Sequence, residues 1–137
     1  MRRLLLLGAA LCLTAASAFA QDPVKVDPKH YKVLFENDRV RVLKIHYGPH
    51  EKSVMHSHPD GVVTFLTDER VKFNKADGTS KEGSGKAGDT MWAPAETHLP
   101  ENLGDTPLEG ILVELKGKHV AHPATKAPPP PPKKQGS

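Results

Sequence analysis

A chain of 137 residues, 37% hydrophobic and 26% charged with a net charge of +3, holds one small domain around one core. Removing Arg2 and Arg3 lowers that charge to +1, and no basic helix or aromatic-interleaved basic patch follows, which argues against a nucleic-acid partner. The single cysteine, Cys12, lies in the same N-terminal stretch, so the rest of the chain has neither a disulfide nor a thiolate metal ligand.

Residues 1–20 have the make-up of a cleaved signal peptide. Arg2 and Arg3 give a positive start, Leu4 to Leu13 an apolar stretch, and Ala18-Phe19-Ala20 a small-x-small cleavage site. Leu11 precedes Cys12 where a lipoprotein signal would want a small residue. The apolar run is short for a bilayer span. The expectation is a secreted or periplasmic protein with no membrane span after cleavage.

Residues 21–32 carry two prolines at positions 23 and 28 and read as an extended lead-in. Short strand-type runs follow. "YKVLFEN" is apolar, and "RVRVLKIHY" alternates Val40, Val42, Ile45 and Tyr47 against Arg39, Arg41, Lys44 and His46, with a slip at Leu43. "GPHEKS" is a loop. "VVTFLTDERVKFNKADGTSKEG" reads as strand, turn, strand, turn, with Asp77-Gly78 marking a hairpin. "DTMWAPAE" is a short strand ended by Pro94, and "LEGILVELKG" is the last strand. No stretch keeps a helical period with caps. Short strands separated by Gly and Pro predict an all-β domain over 33–118. Residues 119–137 include Pro128 to Pro132 and are expected to form a disordered Pro-rich tail.

"VMHSHPDGVV" carries the chemistry. On a strand, His56 and His58 project from one face, and imidazole is a common ligand for transition metals. Two such ligands bind weakly, so a site needs a third from a distant strand. Downstream, "GKAGDTMWAPAETHLPENLGD" places Gly88, Pro94, His98 and Asn102 at regular spacing. Of the other histidines, His46 and His50 read as solvated, with His50 a rim candidate. His30, His119 and His122 lie at the margins and read as surface. Glu96 and Glu101 flank His98 as exposed acids or as candidates for a general base or a further metal ligand. Asn102 and Asp89 read as turn residues, and one of Met91 and Trp92 is expected to face inward.

The two segments together resemble the paired motifs of the cupin superfamily. Gly48, His56 and His58 match the first motif. Gly88, Pro94, His98 and Asn102 match the second, with Glu96 where a glycine is usual. The resemblance covers residues 33 to 115, and it implies a single-domain β-barrel of jelly-roll type. The glutamate of the first motif falls on Val62 or Val63, neither of which binds a metal. The resemblance therefore implies a three-histidine site, His56, His58 and His98, holding one divalent transition metal: Fe, Mn, Zn, Ni or Cu. Some cupin-type dioxygenases hold iron through three histidines, although fold analogy does not transfer a reaction. The expected function is exported metal binding with a small organic ligand or substrate, through dioxygenase-like or Lewis-acid chemistry. The alternatives are a non-catalytic small-molecule or sugar-binding module of the same fold, and an interaction protein acting through its Pro-rich tail. A homodimer is implied by resemblance only.

Overall fold

The computed structural model describes residues 21–117. The signal-like segment, His119, His122 and the proline run lie outside the described residues. No helix among them is long and apolar enough to cross a membrane.

The lead-in departs from the extended expectation. Pro23–Val26 forms one helical turn, α1. Asp22 caps it by accepting from Val24 N at 3.0 Å, and Pro23 sits at a first-turn position where its missing N–H costs nothing. The first strand begins at Tyr31, two residues before the expected domain start.

Nine strands follow: β1 (Tyr31–Glu36), β2 (Val40–Tyr47), β3 (His56–His58), β4 (Gly61–Phe65), β5 (Glu69–Asn74), β6 (Ser80–Gly85), β7 (Thr90–Ala93), β8 (Glu96–Asn102) and β9 (Leu108–Leu115). They make two sheets, ordered β1-β2-β9-β4-β7 and β3-β8-β5-β6. All the pairings are antiparallel. The sheets form a jelly-roll pair rather than a closed cylinder. Asp77-Gly78 makes the expected hairpin between β5 and β6. Gly78 takes φ +83°, and Asp77 accepts from Thr79 N at 2.9 Å.

The core gathers Tyr31, Leu43, Tyr47, Val71, Leu108 and Leu112. β9 alternates strictly, burying Leu108, Gly110, Leu112 and Glu114. On β2 the expected phase is corrected. Leu43 is fully buried and shares its face with Ile45 and Tyr47, so it is not a slip. Arg41 shares that face too. Its guanidinium stays inside because it pairs with Glu114 (Nε to Oε2, 2.6 Å) and Asp22 (Nη1 to Oδ2, 2.8 Å). A buried cation needs such partners.

Two strands were not read from the sequence. β6 is rich in Gly and Ser. β8 contains Pro100, which argues against a central strand. Pro100 O accepts from Ser53 N at 2.9 Å, so its missing N–H falls on the side where β3 has already ended.

Candidate metal centre

The candidate metal centre, a cluster of three histidines, forms where β3 meets β8. His56 and His98 are direct register partners across that pair, and His58 stands opposite Glu96. The i, i+2 spacing puts His56 and His58 on one face. The three rings pack edge to face, with centroids 4.8 Å (His56–His58), 5.1 Å (His56–His98) and 5.4 Å (His58–His98) apart. One nitrogen from each lies within 4.8 Å of the others.

Hydrogen bonds fix which nitrogen is free. His56 Nδ1 donates to Val54 O at 2.8 Å, with Ser53 Oγ at 3.3 Å. His58 Nδ1 donates to Glu114 Oε1 at 2.6 Å. His98 Nδ1 donates to Glu96 Oε1 at 2.7 Å. A carbonyl or carboxylate only accepts, so each Nδ1 carries a proton, and in a neutral ring Nε2 then keeps the lone pair. Nε2 of His56 and of His98 are buried and have no hydrogen-bond partner. Buried nitrogens left this way need an explanation. A cation shared among three lone pairs supplies one, and the donor set fits a divalent transition metal.

Electrostatics favour neutral rings at His56 and His98. Burial, and then the neighbouring His58, lowers His56 to about 4. Burial also lowers His98, against the opposing pull of Glu96. Burial pushes Glu114 up, but His58 and then Arg41 together hold it below its ordinary value. Neutral imidazole is the form that binds metal.

Glu114 is the acid the sequence reading missed. It comes from the far end of the domain, is almost fully buried, and orients His58 as a carboxylate partner does in many metal sites. The alternation of Leu108, Gly110 and Leu112 onto the core face is the signal that would have found it. Gly61 is its register partner. A Cβ at Gly61 would lie 2.6 Å from Val113 O, so only glycine lets β4 run this close to β9.

Other expectations are corrected. His30 is not a surface residue. It is buried, stacked on Tyr47 with centroids 4.2 Å apart, and held by Asp27 (2.7 Å) and Glu51 (3.1 Å). Asp27 also accepts from Ser53, which touches His56, so this cluster supports the His56 ring from behind. Glu96 is not a free acid. It is shared between His98 and Lys75. Glu101 faces Lys52 at 3.8 Å. His50 is exposed beside Asp105, in keeping with the solvated position expected of it. As expected, Asn102 ties a turn, donating to Gly48 O and Thr106 O and accepting from Gly104 N. Asp89 accepts from Lys86 N.

A cavity of about 380 Å³ opens beside the histidines. His58 and His98 help to line it, and its walls are mainly apolar, including Tyr31, Val63, Val71 and Phe73. Met91 and Trp92 both border it while staying half exposed. Val63 lines it and Val62 does not, which decides the question alternation left open.

No protein-family model matches the sequence, and no curated protein does. Solved structures do. A cupin domain from Bordetella pertussis Tohama I superposes with a TM-score of 0.59 at 25% identity, over 64% of this chain and 92% of that one. A double-stranded β-helix protein from Klebsiella pneumoniae gives 0.51 at 24% identity, over 64% and 76%. An RmlC-like cupin family protein from Methanocaldococcus jannaschii gives 0.50 at 15% identity, over 63% and 78%. The chain is a small cupin-type domain with the double-stranded β-helix fold. Its three clustered histidines fit a metal-binding cupin.

Proposed function

We propose that the protein holds one divalent transition metal through Nε2 of His56, His58 and His98, and binds a small organic ligand in the adjoining cavity. The observation that carries this is the clustering of three rings, each anchored through Nδ1 and each with one nitrogen within 4.8 Å of the others, two of them with Nε2 buried and without a partner. Fe, Mn, Zn, Ni and Cu are all compatible with three imidazoles, and the affinity order favours Cu or Zn. A bound ion supplies Lewis acidity or, if redox-active, oxygen activation. The chain's own part is to keep the rings neutral and oriented and to offer a mainly apolar pocket. The signal-like residues 1–20 support export to a secreted or periplasmic location.

The test is metal analysis of protein purified from its native compartment. About one metal per chain is expected, and His56→Ala, His58→Ala and His98→Ala should each abolish it, because three-ligand sites seldom survive losing one. Full occupancy in His98→Ala would overturn the assignment.

One observation favours the non-catalytic alternative. Both carboxylates beside the histidines, Glu96 and Glu114, are committed to Nδ1 protons and to Lys75 or Arg41. Neither is free to act as a general base.

A further inference from the structure

The cavity that His58 and His98 help to line is also lined by a carboxylate the histidine cluster does not use. Glu69, Val71 and Phe73 alternate along β5 onto one face, and all three line the cavity. Phe73 packs on the His98 ring with centroids 5.2 Å apart. Glu69 stands four residues away, about 13 Å along the strand at ~3.3 Å per residue. The wall between is apolar, formed by Phe65, Val71 and Leu112 among others.

Glu69 has no hydrogen-bonded or ionic partner among the described residues. Its register partner on β6 is Gly85, which brings no side chain to cover it. A Cβ at Gly85 would meet the Phe65 ring at 2.4 Å, so glycine there leaves room for that ring. Burial raises the Glu69 carboxyl to about 7. Glu69 also lines a second, open pocket, so its carboxylate stays within reach of water, and a ligand hydroxyl or amine would take the place of that water.

We infer that this cavity takes an elongated, mainly apolar molecule, with an oxygen-donor head at the histidines and a hydroxyl or amine at Glu69. The head group rests on the proposed metal centre; the Glu69 end does not.

The test uses straight-chain hydroxamic acids of scanned length, ending in methyl, hydroxyl or amine, together with the matching primary amides. Binding is measured by calorimetry to zinc-loaded and metal-free protein. Trp92, the chain's single tryptophan, borders the cavity and gives a fluorescence readout. At the best length, hydroxyl- and amine-ended probes should bind wild type at least tenfold tighter than the methyl-ended probe. Glu69→Leu should reverse that order. Glu69→Gln should keep the hydroxyl preference, because its amide oxygen still accepts, and lose the amine preference. A methyl-ended probe that binds wild type tightest, or an order unchanged in Glu69→Leu, overturns the inference. Hydroxamates no better than amides on zinc-loaded protein would sink the metal reading instead, and the tail preference would survive.

Discussion

His58 reaches across 56 positions of sequence for its hydrogen-bond partner, Glu114, and that partner decides how the ring presents its free nitrogen. Glu114→Gln keeps the shape but removes the charge that holds the Nδ1 proton. Zinc affinity should fall by about ten- to a hundredfold, the usual cost of losing an outer-shell partner, and titration calorimetry would show it. A change below twofold would mean Glu114 only balances Arg41. At Val63 the same scale gives a second expectation. Val63 lines the cavity with His58 and His98, whereas Val62 pairs with Trp92 on the neighbouring strand and does not line it. Val63→Glu should add a hard oxygen ligand and move preference towards manganese or iron(II) over copper. Val62→Glu should not. Competition loading followed by elemental analysis separates them, and equal loading of both variants would detach the centre from the cupin motif.

Strand pairing is what brings these residues together. β3 is only three residues long, yet its register against β8 sets His56 opposite His98. β4 against β9 sets Gly61 opposite Glu114. Gly61→Ala would drive a methyl into Val113 O, so the two strands must part. The expected loss is about 2 kcal/mol or more, seen as a lower urea midpoint with unchanged slope. Zinc affinity should weaken as well, because Glu114 moves with its strand. Wild-type stability in Gly61→Ala would mean the strands have slack there. Much at this scale was legible. The hairpin at Asp77-Gly78, the existence of the last strand and the turn role of Asn102 follow from local chemistry. The phase of β2 was not, because Val40 and Val42 look like core residues while Arg41 looks like surface. Only the buried carboxylate on β9 makes Arg41 the inward residue. β8 was hidden by Pro100, whose missing N–H is harmless only because β3 is short.

For the molecule as a whole, proton binding is linked to folding, and binding of the proposed metal would be linked to it as well. His56 and His98 have depressed values in the fold, so between about 4 and the ordinary histidine value near 6.5 the unfolded chain binds more protons than the native one. That makes stability rise with pH across this window and fall as acid is added. Metal-free protein should therefore lose stability as pH drops from about 6.5 to 4. Zinc at neutral pH should raise it, by about 2.7 kcal/mol when free metal is a hundredfold above Kd, which corresponds to several degrees or more in Tm. Chelator should reverse the gain. Melting curves with and without zinc across the pH range check both statements. A Tm indifferent to zinc at neutral pH would argue against a metal centre held by the native state.

The sequence alone determined the all-β class, the cupin-type resemblance and the three histidines, because side-chain period, turn residues and ligand spacing are local properties written in order along the chain. It also showed that the usual glutamate is absent from its place after His58. The tertiary structure alone decided what stands in support. Glu114, Arg41, and the His30–Asp27–Ser53 cluster behind His56 are far apart in sequence and meet only through strand pairing and packing. The same holds for Glu69, an ordinary surface acid by sequence, which faces the cavity because alternation from Phe73 and Val71 turns it inward. Burial and partnership depend on contacts between distant strands, and those contacts are fixed by the register of two sheets rather than by any residue's neighbours.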